Sequence, residues 1–364
     1  MKKELMIFIL VFGIIKTSLS QDDVVSFPNP THTSSFDSEP IQSKPSVKWE
    51  FEMPFENCSN PIVIGDILLV NSFDSDTKKG FQFALNKKNG EQFWKNDIGE
   101  RLSTPSIGQN IAVYGTKSHL TIALDINNGS EKWRISDLNG QTCVAPAIVN
   151  NQIFFGTHGK EWCVADLITG TLIKKDTINN GICCFPSWNE SFVYYTDWDG
   201  KLHKQNISNM EDSIVYQTNT SSHVAPTIVD NIGIMTNDNG LLIAINIYTG
   251  KQLWNFNPDG KLWRSPSIKN GICIVVTDKS HIYGIEIENG VKRWELKKEG
   301  TIYTSASIAG DFAFVSSGDN KLYALNIENG KVLWQVEFES TSGQPFIENR
   351  TIYVSSGNKV YALK

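Results

Sequence analysis

The sequence predicts an all-β protein built as a closed ring of repeated sheets. Three observations support this prediction: one pattern of about forty residues recurs along the chain, each copy contains alternating apolar and polar runs between turn signals, and the last copy lacks a strand that stands before the first. Together they indicate an eight-bladed β-propeller with four-stranded antiparallel blades, in which the N-terminal strand closes the last blade.

The repeat is marked by a small residue, a glycine six positions later and a tryptophan four positions after the glycine, as in ALNKKNGEQFW and ALNIENGKVLW. The glycine position recurs at a nearly constant interval: Gly90, Gly129, Gly170, Met210, Gly250, Gly290 and Gly330. Glycine suits the positive φ of a tight turn, and tryptophan buries a large apolar face. Two copies are degenerate, because Lys174 and Ile214 stand at the tryptophan position and Met210 at the glycine position. We therefore expect blades three and four to be the modified part of the ring.

A proline or alanine begins each of eight units: Pro61, Pro105, Pro146, Pro186, Pro226, Pro266, Ala306 and Pro345. An apolar-alternating run, a short polar turn and a second such run follow each marker. A further turn leads to the third strand, and the glycine turn then separates the third strand from the outer one. Four strands and no helix in about forty residues are typical of a propeller blade, which predicts one propeller over residues 46–364.

The two ends of the repeat region complement each other. The last unit begins at Pro345 and ends at Lys364 without a glycine turn or a tryptophan strand. Residues 47–51, VKWEF, resemble the outer strands of the other units. Pairing this segment with the C-terminal strand would satisfy a sheet edge that would otherwise stay open. The ring is therefore predicted to close through its termini.

The first twenty residues have the pattern of an export signal. Lys2 and Lys3 precede an apolar run from Leu5 to Ile15, and small residues stand before a cleavage point at Gln21. The apolar run is too short to cross a bilayer as a helix. We expect residues 1–20 to be a signal peptide.

Residues 21–45 are rich in proline and serine, which predicts a flexible tether. No cysteine follows the apolar run, so the acceptor thiol of a bacterial lipoprotein is lacking. The expected location is the periplasm or the extracellular space.

The composition argues against some partners. The chain has 33 basic and 39 acidic residues, a formal charge of −6 and no dense basic cluster, so nucleic acid is not expected to bind. No later apolar stretch reaches eighteen residues, so no transmembrane segment is predicted in the mature chain. The folded body is expected to be monomeric.

The pattern A-(L/I)-(D/N)-x-x-x-G-x-x-x-W resembles the tryptophan-docking repeat of the propellers that are similar to pyrroloquinoline-quinone (PQQ) enzymes, and the resemblance covers essentially the whole mature chain. It implies the propeller fold. It also implies two functional classes, because this family contains quinoprotein alcohol dehydrogenases and non-enzymatic members that serve outer-membrane assembly. The repeat itself does not separate them.

The enzyme alternative is a PQQ-dependent alcohol or sugar dehydrogenase with PQQ and calcium as cofactors. The neighbours Cys183 and Cys184 favour it, because the resemblance implies an adjacent-cysteine disulfide against the cofactor in the methanol-oxidising members. Two observations argue against it. The eight blades account for nearly all of the repeat region and leave one insertion, 72–80, for loops that could carry cofactor ligands, and no convergent set of such ligands is visible in the sequence. We therefore expect no cofactor, no metal and no catalytic residue.

Cys58, Cys143 and Cys183 each stand three residues before a proline marker, and His223 takes that place in blade five. These side chains are predicted to surround one mouth of the central channel. Small buried side chains, a disulfide between Cys143 and Cys183, and a metal site all remain alternatives, while Cys184 lies beside them in sequence.

Several aromatic and cationic residues are not demanded by the repeat, and they are the candidates for partner binding: Trp263, Arg264, His223, Trp188 and Trp198. A rigid propeller presents loops at both faces and suits the docking of another protein or of an extended segment. The sequence thus favours a non-catalytic exported scaffold with a protein partner, in envelope protein assembly.

Overall fold

The computed structural model describes residues 24–25, 33–56, 59–142, 144, 146–182, 184–302 and 304–364. All regular elements in these ranges are β-strands. None of the described segments forms a helix long and apolar enough to span a membrane.

Eight sheets surround a central channel, as predicted, and their innermost strands contact one another around the ring. The first four blades, each from its inner to its outer strand, contain β4 (Ile62–Ile64), β5 (Ile67–Asp74), β6 (Lys79–Asn86) and β7 (Gln92–Asp97); β8 (Ser106–Gly108), β9 (Ile111–Gly115), β10 (Thr121–Asp125) and β11 (Glu131–Ile135); β12 (Ala147–Val149), β13 (Gln152–Gly156), β14 (Glu161–Asp166) and β15 (Leu172–Thr177); β16 (Ser187–Trp188), β17 (Phe192–Thr196), β18 (Lys201–Asn206) and β19 (Asp212–Gln217).

The last four blades contain β20 (Thr227–Val229), β21 (Ile232–Thr236), β22 (Leu242–Asn246) and β23 (Gln252–Phe256); β24 (Ser267–Lys269), β25 (Ile272–Val276), β26 (His281–Glu286) and β27 (Lys292–Lys297); β28 (Ser307–Ala309), β29 (Phe312–Ser317), β30 (Lys321–Asn326) and β31 (Val332–Glu337); β32 (Phe346–Glu348), β33 (Thr351–Ser356), β34 (Lys359–Leu363) and β3 (Val47–Glu52). Neighbouring strands within each of these eight blades run antiparallel.

The ring closes through its termini, which confirms the prediction. Strand β3 pairs with β34, and Trp49 lies opposite Ala362. Beyond the strands, the amide of Ser46 donates to the carbonyl of Lys364 at 3.0 Å, and the amide of Lys364 donates back at 2.9 Å. The outer strand of blade 8 therefore comes from the N-terminal side of the chain, and neither strand is left with an unpaired edge at this seam.

Tryptophan docks join six pairs of neighbouring blades. Each indole Nε1–H donates to a backbone carbonyl at 2.8 to 3.0 Å: Trp49 to Lys87, Trp94 to Ile126, Trp133 to Leu167, Trp254 to Ile287, Trp294 to Ile327, and Trp334 to Ile41. The glycine of the next blade is required by this contact, since a Cβ on Gly129, whose φ is +73°, would lie 2.5 Å from the Trp94 ring. Each buried indole, with its N–H hydrogen-bonded, thus holds its own blade against the next one.

Hydroxyl groups form a second set of links around the channel. The first residue of five inner strands donates its hydroxyl hydrogen to the carbonyl of the residue before the next inner strand: Ser106 to Pro146, Ser187 to Pro226, Thr227 to Pro266, Ser267 to Ala306, and Ser307 to Pro345. These hydroxyls are buried, so each bond also satisfies a polar group that water does not reach.

The N-terminal segment enters the central channel. Strand β1 (Val24–Val25) pairs antiparallel with β8, and β2 (Ser35–Phe36) pairs parallel with β28, so two of the eight sheets gain a fifth strand on the channel side. The amide of Ile308 donates to the carbonyl of Ser34 at 2.8 Å, and Phe36 packs edge-on against Phe346.

Residues 33–36, predicted as part of a flexible tether, therefore pack on the propeller, because the open edges of the inner strands accept their backbone; Ile41 and Pro45 are buried as well, while residues 42–44 are exposed. The signal peptide prediction lies outside the described residues.

Candidate functional site

Three aromatic side chains from three blades meet at the mouth of the channel. Trp198, in the turn between β17 and β18, lies 5.0 Å from the His158 ring and 5.6 Å from the His223 ring, measured between ring centroids. His158 belongs to the turn after β13, and His223 to the loop before β20. The structure thus brings together Trp198 and His223, two of the predicted binding residues. We call Trp198, His158 and His223 the mouth cluster.

The mouth cluster holds hydrogen-bonding capacity that the protein does not use. Within the described part of the chain, the buried Nε1 of Trp198 and the buried Nε2 of His158 have no hydrogen-bond partner. Burial lowers the pKa of His158, and the nearby His223 and Lys117 lower it further, which favours the neutral imidazole. His223 differs, since its Nδ1 lies 2.9 Å from Asp238 Oδ1 at the protein surface.

Trp263 and Arg264 lie at the same face, in the loop before β24. The Trp263 side chain is 44% exposed, and it is the one tryptophan among the strongly exposed apolar residues of the described ranges. The ammonium of Lys261 lies 5.4 Å from its ring, and Arg264 donates to the carbonyl of Trp263 at 3.2 Å. An indole held open beside two cations is a suitable contact for another protein.

Trp188 does not belong to this surface. It is 6% exposed and packs between blades 3 and 4 with Trp162 and Ile182. Its place on the inner strand β16 turns the side chain into the core. We therefore do not retain it as a partner contact.

The cysteine predictions are resolved for one residue. Cys184 is a free, buried thiol whose Sγ lies 3.4 Å from both the amide and the carbonyl of Thr196, and burial raises its pKa. Cys58, Cys143 and Cys183 lie outside the described residues, so the ring of thiols and its alternatives remain predictions.

The described residues do not fit the quinone and calcium of the enzyme alternative. The resemblance implies a disulfide between Cys183 and Cys184, whereas Cys184 is a free thiol that contacts the backbone of Thr196. No group of three His, Cys, Asp or Glu side chains within the described ranges is arranged to hold a metal ion. In addition, β1 and β2 occupy the edges of inner strands along the channel.

Blade 4 contains a buried ionic cluster that sequence reasoning missed. His203 lies between two carboxylates, with Nδ1 2.7 Å from Asp212 and Nε2 3.3 Å from Asp197. Its ring stacks on Tyr195, which stacks on Trp162. Burial opposes the charged imidazole, but the two carboxylates outweigh it and raise the pKa of His203 to about 9. This cluster supports the blade that lacks both repeat residues.

A cleft opens between blades 4 and 5, where a tryptophan dock is missing. It has a volume of about 670 Å³ and is lined by Phe192, Lys204, Val215, Ile247 and Tyr248 among others. A smaller cleft of about 390 Å³ lies at the junction of blades 3 and 4, the other position without a dock. The sequence contained an indication of the cleft between blades 4 and 5: in the degenerate copy KQNISNMEDSI of blade 4, a lysine replaces the small residue of the repeat.

The fold and its tryptophan docks define a propeller of the PQQ-like class. Residues 46–181 and 196–364 match the family model described as outer membrane protein assembly factor BamB. These ranges make up most of the chain, and the protein belongs to this family. The unmatched residues include Trp188 on β16, in the modified blade 4.

Two curated relatives carry the same description. The chain is 24% identical over 226 residues to the outer membrane protein assembly factor BamB of Moranella endobia, which covers 57% of this chain and 56% of that protein. It is 20% identical over 150 residues to the protein of the same name from Legionella pneumophila, covering 41% and 38%. The matches span about half or less of the relatives' length.

Solved structures agree on the fold. The crystal structure of BamB from Moraxella catarrhalis has a TM-score of 0.71 at 17% identity, covering 88% of this chain and 97% of that one. A europium-containing methanol dehydrogenase has a TM-score of 0.75 at 13% identity, covering 92% and 96%. Because both a BamB and a dehydrogenase match this well, the likeness supports the architecture alone.

Proposed function

We propose that this protein is an exported, non-catalytic scaffold that binds another protein or an extended segment during the assembly of envelope proteins. The relatives that share its family are named as outer membrane protein assembly factors, which supports this role. The propeller supplies a rigid frame, and its loops supply the contacts.

The observation that carries the proposal is the exposed Trp263 beside Arg264 at the channel mouth. Tryptophan and arginine are enriched among the residues that dominate interface energies. On neighbouring blades of the same face, the mouth cluster adds an unpaired indole N–H on Trp198 and an unpaired ring nitrogen on His158. Because both atoms are buried, a partner backbone would reach them only after the loops of the mouth cluster shift, so the proposal rests on the exposed Trp263 and on Arg264.

Site-specific crosslinking tests the proposal. A photo-crosslinking amino acid is placed at position 263 and, as a control, at position 253, because Leu253 is 43% exposed on the outer strand β23. We expect position 263 to crosslink to a component of the outer-membrane protein assembly machinery and position 253 not to. Trp263→Ala and Arg264→Ala should reduce recovery of the same component, while Leu253→Ala should not. Equal crosslinking from both positions, or none from position 263, would contradict the proposal.

We also propose that residues 1–20 direct export to the periplasm and are removed before Gln21. The apolar run and the small residues at the junction support this. Intact mass of the protein recovered from the periplasmic fraction tests it, and a mass that includes the first twenty residues would argue against cleavage.

A further inference from the structure

The junction between blades 4 and 5 keeps one half of a tryptophan dock. Blade 5 retains the acceptor half: the carbonyl of Ile247 stands where Ile287 and Ile327 accept indoles at other junctions, and Gly250 has the dock glycine's φ of +70°. The indole half is missing from blade 4. At the five docks that contain a glycine, the atom nearest to a Cβ on that glycine belongs to a tryptophan ring, but at Gly250 it is the carbonyl oxygen of Val215.

A shifted β-bulge explains why blade 4 presents no large side chain here. In blade 1, Ala84 lies opposite Trp94, and the register changes between Ala84 and Leu85. In blade 4 the register changes earlier, between Leu202 and His203, so that Lys204 lies opposite Ser213. Cross-strand partners point to the same face of a sheet. Ser213 is therefore the structural counterpart of the docking tryptophan, although Ile214 holds that place in the sequence spacing.

Lys204, on the neighbouring strand β18, takes over part of the role of the missing indole by approaching the Ile247 carbonyl. Its ammonium lies 3.5 Å from the Ile247 carbonyl oxygen, 4.0 Å from the centre of the Phe192 ring and 4.6 Å from that of Tyr248. Burial lowers the pKa of Lys204, and no carboxylate of the described residues lies within ion-pair distance of it. A cation in this setting gains from a further aromatic face.

We infer that this cleft binds a tryptophan side chain presented by a partner protein. The occupant is indicated by the six complete docks, in which an indole donates to a backbone carbonyl of the same kind as that of Ile247. The Val215 carbonyl oxygen covers Gly250, so an indole bound here would lie beside this glycine rather than on it. Tyr248, which is 66% exposed, offers the rim against which the ring would lie, and the Lys204 ammonium offers a cation under its face. The cleft lies on the side of the propeller that carries the glycine turns, away from the mouth cluster. If no tryptophan binds in this cleft, the proposed role of Trp263 is therefore unaffected.

Binding of a defined peptide tests the inference. The blocked peptide QLWNF copies residues 252–256, which contain the docking Trp254, and QLANF is its matched control. Saturation-transfer NMR and calorimetry on the whole protein should show saturable binding of QLWNF and at least about tenfold weaker binding of QLANF, as expected for the loss of one buried aromatic anchor.

Two variants locate the binding. Ser213→Trp supplies an indole from within, and Tyr248→Ala removes one wall at an exposed position, so each should weaken QLWNF binding by about tenfold. Val291→Trp adds an indole to an exposed turn of blade 6 and should leave binding unchanged. Equal binding of the two peptides, or binding that neither cleft variant weakens, would overturn the inference. Self-association of the wild type that is abolished by Trp263→Ala would also overturn it, because the occupant would then be a second copy.

Discussion

The indole of Trp334 in blade 7 donates its Nε1–H to the carbonyl of Ile41 at 2.9 Å. In blades 1, 2, 5 and 6 the docking tryptophan also lies on the outer strand, and its indole donates to a backbone carbonyl in the glycine turn of the next blade. Blade 8 takes its outer strand from the N-terminal side, so no turn is available there, and residues before that strand provide the carbonyl instead. The N-terminal segment thus completes both the last blade and the last dock.

Replacing Trp334 with phenylalanine should release the N-terminal segment locally. The change removes one hydrogen bond and should lower the free energy of unfolding by about 1 kcal/mol. Trp294→Phe is the matched control, because Trp294 makes the same bond to Ile327 within the ring. We expect similar stability losses in urea unfolding, but only Trp334→Phe should make residues 33–45 more susceptible to limited proteolysis. Equal protease resistance of the two variants would show that the dock does not hold this segment.

The ring, its blade count and its closure could be predicted from the sequence, because the residues that build a dock are chemically restricted. Only glycine tolerates the contact seen at Gly129, and few side chains other than tryptophan span to the next blade with a donor at the tip. The position of the segment before β3 could not be predicted in this way. It binds through backbone amides and carbonyls to channel edges, and such pairing leaves little trace in side-chain pattern.

The sites were less predictable for a related reason. Spacing from the proline marker placed His223 at one mouth of the channel, but it could not show that Trp188 turns inward on β16. The shifted bulge in blade 4 places Ser213, rather than Ile214, at the position of the docking tryptophan, and the spacing of the repeat does not reveal this shift.

His203 should make stability depend on pH in the alkaline range. Its pKa is raised from 6.5 to about 9 in the folded state, so folding favours the protonated form. This contribution is present in full below pH 6.5 and is lost as the pH rises through about 9; it amounts to at most a few kcal/mol. Urea unfolding from pH 6 to 10 should show this loss in the wild type and a flatter profile in His203→Asn. Parallel profiles would show that His203 is not charged in the folded protein.

The three free cysteines of the described ranges should resist alkylation in the native state. Cys163, Cys184 and Cys273 are buried, and burial raises the pKa of each thiol, that of Cys163 to about 12. The reactive thiolate is therefore scarce at pH 8. Iodoacetamide labelling followed by peptide mass spectrometry should modify these residues only after unfolding. Rapid native labelling of Cys184 would indicate that the loop before β16 opens, and would reopen the question of a redox role there.

Restoring the dock between blades 3 and 4 should require two changes together. Lys174 lies at the tryptophan position and donates to the carbonyl of Met210 at 3.0 Å, while Met210 holds the glycine position at φ +60°. In Lys174→Trp the indole would meet the Met210 side chain, so this variant should be neutral or destabilised; Met210→Gly alone should lose packing in the blade core. The double variant should recover more than the sum of the single effects, with a coupling of about 1 to 2 kcal/mol in a double-mutant cycle measured by urea unfolding. Additive effects would mean that the junction has relaxed into a geometry that no longer accepts an indole, and that blade 4 is held by the His203 cluster instead.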